Sequence, residues 1–176
     1  GQAESKTGQA ESNPGQDNTS SSAYFCYETQ TIQWRTKMKL NKSIEVRELH
    51  DMTVAYVRHI GPYAGDEQLF RGLWEKLFRW AGPRGLIGGP GFHSLIVYHD
   101  DPNVTESTRL RTSVCITVPP DTKVEGEVGK MEVAGGRYVI ARFEVRSDEF
   151  GQAWDWIFSQ WFPTSGYQPD DRLSFE

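Results

Sequence analysis

Two copies of one aromatic pattern lie 80 residues apart: Phe70, Trp74 and Phe78 recur as Phe150, Trp154 and Phe158. A spacing of four places three rings on one face of a helix. A repeat of this kind means two copies of one supersecondary unit, and every other assignment has to respect it. Acids precede both stripes, Asp66 and Glu67 before the first, Asp148 and Glu149 (after Ser147) before the second. Negative charge there suits a helix N-terminus. Gly82-Pro83 predicts the end of the first helix and Pro163 the end of the second. The stripes themselves are expected to be core.

Strand-like runs precede both helices. Val54-Ala55-Tyr56-Val57-Arg58-His59 aligns with Tyr138-Val139-Ile140-Ala141-Arg142-Phe143 at an offset of 84, so the second strand–helix loop is four residues shorter. A further strand stands before each, over Ile44–Leu49 and about Val128–Val133, and Gly135-Gly136 predicts a hairpin turn. After the first helix come strands over Ser94–Tyr98 and about Thr112–Val118, with Asp100-Asp101-Pro102-Asn103 as a turn between them. After the second helix the matching region begins at Leu173–Glu176, where the sequence stops. The expected unit is hairpin–helix–hairpin, used twice. That is an α+β fold, a duplicated ββαββ-like module with antiparallel sheets and a pseudo-two-fold axis. A ligand cleft is expected between the halves, at about 44–120 and 121–176.

A chain of 176 residues is one domain, or one domain with a tail. Residues 1–20 repeat Gly-Gln-Ala-Glu-Ser and carry no aromatic or large aliphatic side chain. Such a stretch buries too little apolar surface to offset its ordering, so it is expected to be disordered. Residues 21–43 hold Tyr24, Phe25, Tyr27, Ile32 and Trp34 and end in a basic run of Arg35, Lys37, Lys39 and Lys42. They are read as a connector with a solvated basic end, or as a junction to a preceding domain. The leader and linker, 1–43, carry net charge +1. The globular body, 44–176, has 14 basic and 20 acidic residues. That balance argues against a nucleic-acid surface and admits cationic ligands. Cys26 and Cys115 are too few for a disulfide scaffold or a zinc site and suit a reducing cytoplasm. No run approaches 18 apolar residues, and no apolar segment opens the chain, so neither a membrane span nor a secretory signal is expected.

Catalytic and metal constellations are largely missing. His50, His59, His93 and His99 show no metal-site spacing, and no GxSxG elbow is present. The glycine-rich run from Gly85 to Gly91 lacks both the Walker and the dinucleotide-binding spacing, and reads as a flexible loop. Cys115 sits in an apolar alternating strand and reads as inert core. Asp100-Asp101 and Asp170-Asp171 lie beside prolines in turn contexts and read as turn caps rather than cation ligands. What remains is aromatic abundance with acidity. Ring faces attract cations, and a desolvated carboxylate adds charge complementarity. Trp80, Trp156, Trp161, Tyr63, Tyr98, Phe92 and Tyr167 lie off the stripes or near loops. Composition does not choose among them as cleft or core.

Several stretches, in order, resemble one family. Val54 to Tyr63 is similar to a strand followed by His-x-Gly-x-Tyr before the first helix. Tyr98-His99-Asp100-Asp101-Pro102 is similar to a Tyr-x-Asp-x-Pro segment, and Leu110 to Ile116 to the strand after it. Gly135-Gly136-Arg137-Tyr138 resembles Gly-Gly-x-Tyr, and Trp161-Phe162-Pro163-Thr164-Ser165-Gly166-Tyr167 resembles Trp-Leu-Pro-x-Ser-Gly-Tyr. Phe175-Glu176 resembles the start of a final aromatic-Glu-x-Tyr strand. Together they resemble the GyrI-like (gyrase-inhibitor-like) effector-binding domain. That domain forms the C-terminal part of many AraC-type and some MerR-type transcription regulators and also occurs alone. The resemblance covers residues 44–176. It implies a duplicated α+β module with a hydrophobic cleft between its halves, in which an acidic residue faces cationic aromatic compounds. By motif position that residue is Glu176, and this chain ends one residue into the motif. Helices of an AraC-type DNA-binding domain are absent, and only Ser20–Tyr24 resembles the close of such a domain.

The leading expectation is a cytoplasmic, non-enzymatic module that binds a small hydrophobic, cationic multi-ring compound for drug sensing or transcription regulation. Its candidate ligand-binding residues are Glu176, Tyr63, Trp74, Phe92, Tyr98, Trp154 and Tyr167. No catalytic residue, metal or cofactor is assigned. No direct nucleic-acid or membrane contact is expected. A fused or separate DNA-binding domain and a homodimer both stay open. The resemblance also implies two alternatives. One is a hydrolase of reactive ring-strained compounds, with Glu106, Glu144 or Glu176 beside Tyr63, Tyr98 or Tyr167. The other is a protein-interaction module of the gyrase-inhibitor type.

Overall fold

The computed structural model describes residues 19–25, 42–146 and 149–176. Cys26, the basic residues Arg35, Lys37 and Lys39, and Ser147 and Asp148 before the second helix lie outside these residues. The strands are β1 (Thr19–Phe25), β2 (Lys42–Leu49), β3 (Met52–Ile60), β4 (Ser94–Tyr98), β5 (Arg111–Thr117), β6 (Gly129–Val133), β7 (Gly136–Val145) and β8 (Ser174–Phe175). The helices are α1 (Glu67–Ala81), α2 (Phe150–Trp156) and α3 (Phe162–Ser165). The architecture is the expected duplicated α+β fold. All strand pairings are antiparallel, in one ladder of order β2-β7-β1-β8-β4-β5-β3-β6.

The expected hairpin at Gly135-Gly136 is not formed. β7 pairs with β2, and β6 pairs with β3. The first strand of each half has crossed into the other half. The two crossings share one register: Lys42 faces Phe143 and Leu49 faces Gly136, then Met52 faces Val133 and Tyr56 faces Gly129. The segments 42–60 and 129–145 thus run side by side as two nearly continuous strands, broken only where they cross. A Gly-Gly pair marks that crossing because the backbones meet there. A Cβ on Gly135 would stand 2.7 Å from Asp51 N. Gly135 N instead donates to Asp51 Oδ1 at 2.7 Å. Arg172 ties the crossing to the segment before β8, donating to the carbonyls of Gly135 at 2.9 Å and Arg137 at 3.0 Å.

Each helix packs on its own half. α1 starts on Asp66, whose carboxylate accepts from Leu69 N at 2.9 Å. It buries Leu73, Leu77, Trp80 and Ala81 against Ala55, Val57, Val114 and Ile116. α2 and the turns after it bury Ala153, Ile157 and Phe162 against Val139, Ala141, Phe143 and Val145. A third cluster joins the halves, with Val54, Leu95, Val97 and Cys115 meeting Val133, Tyr138 and Phe175. A fully buried side chain of this kind contributes about 1.5–3 kcal/mol.

Two further expectations are corrected. Pro163 does not end the second helix. A π-helical turn over Ile157–Trp161 carries the chain on into α3, and Pro163 falls in the first turn of α3, where its missing N–H has no helical partner to lose. Gly166, at φ 76°, is the stop. Residues 19–25, inside the expected leader, form a strand between β7 and β8.

Candidate functional site

The floor of the site is the junction of the halves, where β4 meets β8. Ile96 and Glu176 exchange both main-chain bonds, Ile96 N to Glu176 O at 2.8 Å and Glu176 N to Ile96 O at 2.9 Å. Tyr98 lies opposite Ser174. Directly paired residues share a face, so Tyr98 and Glu176 belong to one side of the sheet. Tyr98 Oη donates to a carboxylate oxygen of Glu176 at 2.9 Å.

The walls are drawn from the two aromatic stripes, without Phe78, which packs against the core under α1. Phe70 and Trp74 come from α1, and Phe150, Trp154 and Phe158 from the second helical segment. The stripes were expected to be core. They are half-buried, and the core faces of the helices are the rows beside them, Leu73, Leu77 and Trp80 in α1. At the mouth, Gly61 (φ 134°) turns the chain out of β3, and its N–H donates to Leu110 O at 2.8 Å. A His59 ring nitrogen lies 3.2 Å from Pro62 O. This turn delivers Tyr63, whose ring centroid is 5.5 Å from Tyr98 and 6.3 Å from Phe70. Tyr98 meets the edge of Trp154 at 5.4 Å. The cleft is open to solvent along its mouth and has a volume of about 1940 Å³. That exceeds the ~300–1,000 Å³ of an ordinary small-molecule site and leaves room for fused rings.

Six of the seven expected binding residues line this one cleft: Tyr63, Trp74, Tyr98, Trp154, Tyr167 and Glu176. Phe92 does not. It packs against the core beneath α1, at the end of the glycine-rich loop. Tyr167 is half exposed and stacks on Trp161 with centroids 6.0 Å apart. Glu106 and Glu144 lie outside the lining, so Glu176 with Tyr98 is the Glu/Tyr pair that the cleft holds. The sequence reading missed Phe70, Phe150, Phe158 and Phe162 as lining. The signal that finds them is the offset between each stripe and its neighbouring Leu or Ala row.

The electrostatics are one-sided. Six acids line the cleft (Asp66, Glu67, Asp100, Asp101, Asp155 and Glu176), against two basic residues, Arg71 and Arg137. Asp100 is committed to Arg111, whose guanidinium holds its carboxyl below the usual range. No Arg or Lys pairs with Glu176 among the described residues. Burial raises the Glu176 carboxyl above its ordinary value, and hydrogen bonds from Tyr98 and Trp154 oppose this. Burial, helped by the Glu176 charge, pushes the Tyr98 hydroxyl well up, so it stays a donor.

Other expected features fall outside the cleft chemistry. Burial, with the charges of Arg58 and Arg111, lowers His99 to about 4, and its ring nitrogen lies 2.9 Å from Ser113 Oγ. Burial raises the Cys115 thiol, so it is not a poised nucleophile. Asp101 accepts from Asn103 N at 2.8 Å and Asp170 from Arg172 N at 3.0 Å, as turn caps do. Among the described residues no group of three or more His, Cys, Asp or Glu could hold a metal, and no helix is long and apolar enough to cross a membrane.

Residues 42–176 match the family described as the GyrI-like small molecule binding domain. The chain belongs to that family. Among its relatives is a protein of Dickeya dadantii named DNA gyrase inhibitor 2, 32% identical over 123 residues, covering 68% of this chain and 74% of the relative. The DNA gyrase inhibitor of Escherichia coli K12 is 28% identical over 135 residues, covering 75% and 82%. The fold is shared with the crystal structure of the EcmrR C-terminal domain, at a TM-score of 0.51 and 15% identity, covering 77% of this chain and 94% of that one. The family is one of small-molecule binding domains.

Proposed function

We propose that this GyrI-like domain binds hydrophobic, cationic, multi-ring compounds in the cleft between α1 and α2, without turning them over, and that binding biases a fused or partner DNA-binding domain. One observation carries the reading. Glu176 sits among aromatic rings, held by two neutral donors and, among the described residues, by no cation. A desolvated carboxylate without a counter-charge is costly, and a bound cation supplies what is missing. The rings of Tyr63, Trp74 and Trp154 offer flat partners for stacking and for cation–π contact. Regulation then requires that the ligand bind two states of the domain unequally.

The test compares two near-isosteres by tryptophan quenching, N-methylacridinium and acridine, at a pH where acridine is uncharged. Tighter binding of the cation, lost in Glu176→Gln, supports the reading. Equal affinity for both removes the carboxylate from the argument, and no binding of either shifts the weight to a protein partner. A second reading has one observation in its favour. The 2.9 Å Tyr98–Glu176 bond is the Glu/Tyr arrangement that a hydrolase of ring-strained compounds would use to activate water. Incubation with such a compound and chromatographic search for its hydrolysed product decides between the two.

A further inference from the structure

The sheet ends on β6 at one side and on β2 at the other. β6 is short, with five residues. β2 has eight, and each pairs with β7 without a bulge, from Lys42 opposite Phe143 to Leu49 opposite Gly136. Among the described residues no strand pairs with its outer edge. No proline interrupts it. A straight edge of this length is a template for another strand, and proteins that stay apart usually shorten, bulge or break it. Its side chains alternate between two faces. Ile44 and Val46 are half-buried and pack on the helix side, against the cluster of Ala141 and Phe143. Glu45 and Arg47 therefore take the opposite side, where Glu45 Oε1 accepts from Arg47 at 2.8 Å and from Arg142 of β7 at 2.9 Å.

We propose that β2 is a self-association edge: it pairs antiparallel with β2 of a second copy, about a two-fold axis at Val46, and joins the two sheets into one. The charges select both the occupant and the register. A two-fold axis through a sheet sets one residue opposite its own copy, and its neighbours then pair reciprocally. Centred on Glu45 or on Arg47, the axis would bring a charge against itself. Centred on Val46, it sets Val46 opposite Val46, Glu45 opposite Arg47 and Arg47 opposite Glu45. Opposite charges directly across two strands stabilise their pairing, and like charges oppose it. The second copy's Arg47 joins an exposed ion cluster that Glu45 already centres, so no buried group has to be stripped of a partner. On the helix side, Val46 of the second copy extends the half-buried Ile44–Val46 row across the axis, and Ile44 faces Glu48 beyond it. Main-chain bonds supply the affinity and these pairs supply the selectivity. The proposal does not rest on what the cleft binds.

The experiment is sedimentation velocity of the full chain over a range of concentrations, with two charge variants. The parent is expected to pass from monomer to dimer as concentration rises. Glu45→Arg sets Arg opposite Arg47, and Arg47→Glu sets Glu opposite Glu45. Each variant alone is expected to weaken the dimer about tenfold or more. Mixed in equal amounts, the two variants have opposite charges at every pair, and a one-to-one heterodimer tighter than either homodimer is expected. That rescue separates lost pairing from lost folding. Hydrogen exchange on the parent gives a reading without any variant: the amides of 43–49 are expected to gain protection as the dimer forms, and those of β6 to stay unchanged. A parent that remains a monomer at every concentration overturns the proposal, and this is also the result if another segment of the chain covers β2. A dimer that neither variant weakens overturns it, as does a mixture that fails to pair. A dimer with unchanged exchange at 43–49 places the interface elsewhere and overturns it too.

Discussion

Glu176→Gln separates the charge of the site from its shape. Glutamine keeps the length of the side chain and one oxygen for the bond that Tyr98 now makes at 2.9 Å. Only the charge is lost. A ligand cation at ~4 Å from a carboxylate gains about 4 kcal/mol at an effective dielectric constant of 20. Glu176 is half-buried, so about half of that survives screening by solvent. The expected loss is about 2 kcal/mol, or roughly 30-fold in Kd for N-methylacridinium, with acridine changed by about twofold or less. Tryptophan quenching measures both. The ligand-free protein should move the other way. A carboxyl whose pKa is raised on folding binds more protons folded than unfolded. Its contribution is fully present below the unfolded value and is lost as pH rises through the folded one. At neutral pH the ionised side chain therefore costs stability, and Glu176→Gln should hold or raise the urea midpoint. A variant that loses both affinities equally, or that unfolds more easily at neutral pH, refutes the assignment of Glu176 as a poised, unpaired carboxylate.

Tyr98→Phe removes a donor that lowers the Glu176 pKa, so the pH below which cation binding fades should move upward, as read from quenching titrations across pH. Gly135→Ala should cost about 2–3 kcal/mol in urea unfolding, because the new methyl meets the backbone of His50 and Asp51 at the crossing. Gly72→Ala in α1, with nothing within 4 Å of its Cβ, should gain about 0.5–1 kcal/mol in the same assay. Arg172→Ala strands the carbonyls of Gly135 and Arg137 and should cost about 1–3 kcal/mol, visible as a lower urea midpoint.

Periodicity was enough to locate the helices and most strands, since each half alternates period 2 with period 4. It was not enough to say what each face meets. The Phe/Trp stripes stand beside the Leu73–Leu77 row on α1, and a shift of one position on a helix decides between core and cleft. Gly135-Gly136 was legible as a place where the backbone needs room, but the same dipeptide serves a turn and a crossing. The choice depends on β2, more than 80 residues away. Phe92 illustrates the reverse error. An aromatic beside a glycine-rich loop carries no signal of direction, and this one folds under α1. The π-helical turn at Ile157–Trp161 has no local signature, because it answers to the packing of the segment on β7.

The strand exchange constrains how such a domain can respond to a ligand. If each half were a closed hairpin–helix–hairpin unit, the cleft could open by a hinge between two bodies. Here β2 belongs to the sheet of the second half and β6 to that of the first. Separating the halves would break both ladders, together with the Arg172 bonds across the crossing. The floor is therefore the stiff part. The walls are separate bodies, since α1 packs on β3 and β5, while α2 packs on β7. Tyr63 rides on a turn, and the wall from Trp154 to Phe162 contains the π-helical turn. A large flat ligand drawn to Glu176 would thus be gripped by movement of the helices over a fixed sheet. On the proposed function, the energy for signalling would be the difference in ring contact between two positions of the walls, with the carboxylate supplying affinity common to both.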